Sequence, residues 1–235
     1  MRKIAAVVNT LSAVSLLIVI GCAQQHVSTG PAGWQEQFDI SNKTLVPTGR
    51  NQYFILEPGF QLVLEGKDEK VAITVLDETV DVAGVTTRVV EEREWKKGEL
   101  AEVSRNFFAI SRETRDVFYF GEDVDVYKNG KVVQHSGAWR AGRNNAKPGM
   151  MIPGRPSVGI KYYQEVAPHV AMDRAEVVSV TETLKTPAGN FSGCLKTQET
   201  TPLDPGEKGH KTYAPGIGLI QDEDLLLTKH GFVTR

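Results

Sequence analysis

Val124-Asp125-Val126-Tyr127-Lys128-Asn129-Gly130-Lys131-Val132-Val133 places strand-forming residues on both sides of Asn129-Gly130. Both central residues accept the positive φ of a type I′ turn, so the stretch reads as a β-hairpin. The pattern extends in both directions. Upstream, Gln61-Leu62-Val63-Leu64-Glu65 is closed by Gly66, and Val71-Ala72-Ile73-Thr74-Val75-Leu76 carries a β-branched residue at every second position. Val85 to Trp95 is long and β-rich, Lys96-Lys97-Gly98-Glu99 is a second tip, and residues 103–111 and 117–120 continue the series. No stretch of residues 60–140 has a helical period. An antiparallel meander is therefore expected there. Residues 34–60 are less clear, with Tyr53-Phe54-Ile55-Leu56 halted by Glu57-Pro58-Gly59.

Residues 141–170 interrupt the meander with Gly142, Gly149, Gly154 and Gly159, and with Pro148, Pro153, Pro156 and Pro168. Two readings stand side by side: an ordered loop that covers one mouth of a curved sheet, or a connector between its halves. In the first, Met150, Met151 and Ile152 pack inward as an adaptable apolar lid, with Trp139 beside them as a further ligand contact. Strands resume at Ala175-Glu176-Val177-Val178 and run to the end of the chain.

The two strand-rich regions, 71–140 and 175–235, resemble each other. Glu78-Thr79 and Glu182-Thr183 each lead to an Ala-Gly turn, Ala83-Gly84 and Ala188-Gly189. Further on, Asn106-Phe107-Phe108-Ala109 matches Lys211-Thr212-Tyr213-Ala214, and each is followed by an apolar strand with an acidic end. One such meander cannot bury its apolar face alone. The expected fold is mainly β: an antiparallel meander forming a curved sheet or half-barrel from two similar halves, as a single domain over 34–235.

The N-terminus carries an address. Arg2-Lys3 precede an apolar run from Ile4 to Ile20 that ends in Val19-Ile20-Gly21-Cys22, the pattern of a lipobox. Residues 1–21 read as a cleaved export signal. Cys22 reads as a lipidated N-terminus, with acyl chains such as palmitate as its membrane partner. Ala23 in place of Asp favours the outer membrane if the host is Gram-negative. Residues 22–33 are polar and small, and read as a tether.

Composition narrows the chemistry. Net charge is −2 and no long basic run occurs, so no nucleic-acid partner is expected. With Cys22 lipidated, Cys194 is alone, which removes intramolecular disulfides and multi-cysteine metal sites; it sits on strand and reads as an inert thiol. His26, His135, His169, His210 and His230 have no zinc-helix spacing. Glu122, Asp123 and Asp125 read as a solvated strand end rather than as a calcium site. No nucleophile elbow or phosphate loop is present. No catalytic residue, metal or cofactor is assigned.

Phe118 to Val124, Gly137 to Gly142, and Pro148-Gly149 with Met151-Ile152-Pro153 resemble an uncharacterised family of bacterial secreted proteins and lipoproteins. The likeness continues through Thr186 to Phe191 and Tyr213 to Ile220, where the pieces are also similar in style to the half-barrels of lipoprotein carriers. It implies a curved antiparallel sheet and brings no activity. The expected function is a membrane-anchored, non-enzymatic module in the cell envelope that binds an apolar ligand or an envelope partner. The alternatives are a structural envelope protein working only through protein contacts, and a hydrolase with scattered site residues.

Overall fold

The computed structural model describes residues 33–233. The export segment 1–21, Cys22 and the tether up to residue 32 lie outside the described residues. Among those described, the chain is mainly β, and no helix is long and apolar enough to cross a membrane.

The strands in chain order begin with β1 (Leu45–Val46) and the small hairpin β2 (Gly49–Asn51) and β3 (Phe54–Leu56). Then come β4 (Phe60–Glu65), β5 (Glu69–Val82), β6 (Val85–Lys96), β7 (Glu99–Ser111) and β8 (Val117–Lys128). The middle of the chain holds four short strands: β9 (Lys131–Gln134), β10 (Trp139–Arg140), β11 (Gly149–Ile152) and β12 (Lys161–Tyr163). The second half is β13 (Arg174–Thr186), β14 (Gly189–Thr201), β15 (Asp204–Ala214), β16 (Gly218–Asp222) and β17 (Leu225–Phe232). Asn129 and Gly130 have φ of 53° and 71° between β8 and β9, as the type I′ reading requires.

All strands except β2 and β3 join one antiparallel sheet, whose central order is β8-β7-β6-β5-β4-β17-β16-β15-β14-β13. The sheet is curved but not closed. Its two halves are consecutive meanders, and the first and last long strands of the fold, β4 and β17, zip them together with Leu64 opposite Leu227. Each half holds four consecutive antiparallel strands, β5 to β8 and β13 to β16, whose first tips are Ala83-Gly84 and Pro187-Ala188.

The open seam lies between β8 and β13, and residues 141–170 cross it. That segment is not strandless. It carries β11, which pairs with β8, and β12, which pairs with β13. Between them, the Lys147 amide donates to Val166 O at 2.8 Å, and the Tyr162 hydroxyl reaches Met151 O at 3.5 Å. Gly149 permits this approach, since a β-carbon there would stand 2.0 Å from the Gln164 carbonyl oxygen.

The core covers the inner face and also the outer face of β7 and β8, where residues 106–111 and 117–122 are buried without interruption and Phe38 packs edge-on against Phe118. Phe107, Phe118, Phe120, Leu56, Leu64, Ile110, Leu195 and Ile220 are fully buried. Each such side chain stabilises the fold by roughly 1.5–3 kcal/mol before entropy is counted. Toward their far ends β5 and β13 alternate instead, with Thr79 and Asp81, and Thr181, Thr183 and Lys185, exposed at every second position.

Candidate functional site

The inner face of the first half is apolar over three strands. Leu62 on β4 stands opposite Ile73 on β5, and Val75 on β5 opposite Val90 on β6. The β2–β3 hairpin lies over this face, and Phe54 packs edge-on against Phe108 with ring centroids 5.2 Å apart. Met151 from the crossing segment, and Tyr213, Ile217 and Leu219 from the second half, complete the wall. They line a partly open cavity of about 60 Å³ whose polar residues are Glu92, Asn106 and Lys211. That is room for about two waters, or for a few carbons of a ligand.

The polar wall belongs to a buried ionic layer. Lys211 Nζ lies 3.0 Å from Glu199 Oε2 and 3.9 Å from Asp222 Oδ2. Gln164 Nε2 donates to Glu199 Oε1 at 2.9 Å, which ties the crossing segment to the layer. Burial opposes the charge on Lys211, but Asp222 and Glu199 outweigh it and hold the ammonium protonated well above its ordinary range. On the first half, the Tyr119 hydroxyl donates to Asn106 Oδ1, while Asn106 Nδ2 donates to Val90 O and Ser104 Oγ. Tyr119 stacks on Phe108 at 4.6 Å and meets Trp139 edge-on at 5.3 Å. Burial, then the neighbouring Glu122, Glu165 and Glu92, raise the Tyr119 phenol well above its usual value, so it serves as a donor and not as an acid.

The four apolar candidates separate. Met151 is on the cavity wall. Met150 and Ile152 are core residues of β11, set opposite Phe118 and Val117. Trp139 is buried elsewhere, donating from Nε1 to Glu165 Oε1 at 3.4 Å, beside a surface depression of about 230 Å³ that Arg140 and Arg143 also line. The acidic stretch on β8 also needs correction. Asp123 is solvated and pairs with Arg140 at 2.8 Å, but Glu122 is fully buried, because the register of β8 turns it to the inner face opposite Asn106. Cys194 is fully buried on β14, and burial pushes its thiol up, so it stays protonated. His135 Nδ1 meets Asp125 Oδ1 at 2.9 Å, on an exposed hairpin rather than in a cleft. Among the described residues, no group of three or more His, Cys, Asp or Glu could hold a metal ion.

Glu92, Asn106, Glu199, Lys211 and Asp222 carry the site, and none was singled out as functional from sequence. The usable signal was the repeat, which aligns Asn106 with Lys211. No family model, curated protein or solved structure matches the chain. The likeness to lipoproteins therefore stands on the quoted stretches alone.

Proposed function

We propose that the protein is a non-enzymatic binding module, tethered in the cell envelope through lipidated Cys22, that holds a small apolar group inside its curved sheet. The observation that supports this reading most is the cavity: apolar side chains from both halves and Met151 surround space that the core leaves unfilled. Native interiors pack closely, so an apolar void with one polar wall is a feature to explain. Its volume is below the roughly 300 Å³ of a site that swallows a drug-sized molecule, so it takes one end of a ligand. Native mass spectrometry of the delipidated domain, purified from its own host, tests the reading. A retained small molecule, released on unfolding, is the expected result; a domain that is always bare is evidence against it. The anchor has its own test. Cys22→Ser should abolish lipid labelling and leave an unprocessed or released form, and unchanged labelling overturns the lipobox. For a Gram-negative host, Ala23 directs the proposal to the outer membrane.

One observation favours a structural role in the envelope instead. All four residues of β9 are exposed, Val132 and Val133 among them, and the strand pairs only with β8. Such an edge can accept a partner strand. A Val133→Lys change that disrupts an envelope complex, in a domain that retains no ligand, would support that role.

A further inference from the structure

Four residues of the cavity wall, Phe54, Ile73, Ile217 and Leu219, are half-buried, and the rest are buried. These four apolar side chains mark where the cavity meets solvent. Three of them are held in place. Ile73 lies mid-strand on β5, paired with Leu62 of β4 on one side and Glu92 of β6 on the other. Leu219 on β16 is paired with Tyr213 of β15, and the Phe54 ring packs against Phe108. Ile217 is different. It sits on the turn between β15 and β16, after the exposed Pro215 and Gly216, and outside the strand pairing.

That turn is built to move. Ile217 stands between Gly216 at φ 71° and Gly218 at φ 113°, both in the left-handed region where glycine rotates at little cost. A β-carbon at Gly216 would meet nothing within 4 Å, so backbone conformation and not crowding calls for glycine there. Among the described residues, one hydrogen bond ties residues 215–217 to anything beyond β15 and β16. The Gly216 amide donates to Gln52 O, on the β2–β3 hairpin, at 2.8 Å. The hairpin forms a separate two-stranded sheet, so this bond latches the turn to an element outside the main sheet. The cavity interior adds a constraint on what enters. Lys211 is engaged by Glu199 and Asp222 and feels the charge of Glu92, and the Asn106 amide is engaged by Tyr119, Val90 and Ser104. A polar head carried inside would lose water and gain little, so it stays at the rim while an apolar end goes in.

We propose that the β15–β16 turn is the entrance to the cavity and that Ile217 sets the width of what enters, admitting an unbranched apolar chain end and excluding a branched one. This rests on the binding-module reading and adds a route and a ligand shape to it. The test uses 1-hexanol and its isomer 3,3-dimethyl-1-butanol, which carry the same head on a straight and a branched end. Each is titrated into the delipidated domain and followed by amide chemical shifts of the cavity strands. The wild type should bind 1-hexanol about tenfold tighter than the branched isomer. Ile217→Ala should bring the two to within about twofold, whereas Leu219→Ala, on the same rim but on a paired strand, should keep the preference. A disulfide between Gln52→Cys and Gly216→Cys, which fastens the latch, should slow 1-hexanol exchange about tenfold or more, with the rate restored on reduction. If that disulfide does not form, the comparison of Ile217→Ala with Leu219→Ala decides alone. Equal binding of the two alcohols by the wild type overturns the shape limit. Equal relaxation by the two rim variants, or unchanged exchange in the oxidised latch variant, overturns the entrance. Each of these leaves the binding module standing, and failure of both alcohols to shift any cavity amide overturns the module as well.

Discussion

Lys211 on β15 and Glu199 on β14 form an ion pair 3.0 Å long with side chains only 7% and 9% exposed. Removing one partner of a buried pair strands the other charge, which typically costs about 3–5 kcal/mol. Lys211→Met should fall in that range at pH 8 by urea denaturation, because Glu199 and Asp222 lose their shared countercharge. Adding Glu199→Gln should recover part of the loss. A double-mutant cycle with no coupling between the two positions would mean that the pair is incidental to stability.

Glu94 makes a pH prediction with a definite sign. Burial, then the charges of Glu92 and Glu102, raise its carboxyl from 4.5 to about 7. The folded protein therefore binds a proton that the unfolded chain has released, and stability falls as pH rises between those values. The loss attributable to Glu94 is on the order of 3 kcal/mol, fully developed above pH 7. Glu94→Gln should flatten the slope between pH 5 and pH 8 and be the more stable protein at pH 8. Glu113 acts in a separate, lower window: its hydrogen bonds with Thr44 hold it down to about 2, so its contribution disappears only as pH falls toward that value. A wild-type stability that is level from pH 5 to pH 8 would refute the Glu94 assignment.

The parts of the fold that could be read from sequence are those fixed locally. Asn129-Gly130, Lys97-Gly98 and Ala83-Gly84 mark their own turns because positive φ restricts which residues serve. Alternation then fixes which face each strand buries. The seam was harder to read. Gly149 looks like any loop glycine until Gln164, fifteen positions away, is seen to lie against it. The ionic layer was hidden for a related reason. Glu92, Glu122 and Asp222 have the composition of a solvated surface, and only the strand register and the packing of the two halves show that they face inward. Glu122 shows this directly, since its neighbour Asp123 does face solvent.

Gly149 is accordingly a sensitive position. A β-carbon would meet Gln164 O at 2.0 Å and Glu165 N at 2.9 Å, both backbone atoms that cannot rotate away. Gly149→Ala should destabilise by about 1–3 kcal/mol, as overpacking does, and should do so locally at first. Amide exchange would report it. The Lys147 amide, which donates to Val166 O across the seam, should lose protection sooner than the amides of β5 and β6. Uniform loss of protection throughout the sheet would show that the crossing segment does not open by itself.

Met151 links stability to binding. Its side chain is 2% exposed, yet part of it borders empty space and not packed neighbours. Truncating a buried methionine to alanine costs about 2–5 kcal/mol, and the cost is smallest where few contacts are lost. Met151→Ala should lie near the lower end, about 2 kcal/mol by denaturant titration. It should also enlarge the cavity into space that the crossing segment still covers. Because a ligand stabilises in proportion to the logarithm of its concentration over Kd, the variant should show a larger rise in melting temperature with 1-hexanol than the wild type does. Met150 borders the core and not the cavity, so Met150→Ala should lower the melting temperature without adding to the 1-hexanol response. If the two variants respond alike to 1-hexanol, Met151 does not control access to the space inside the sheet.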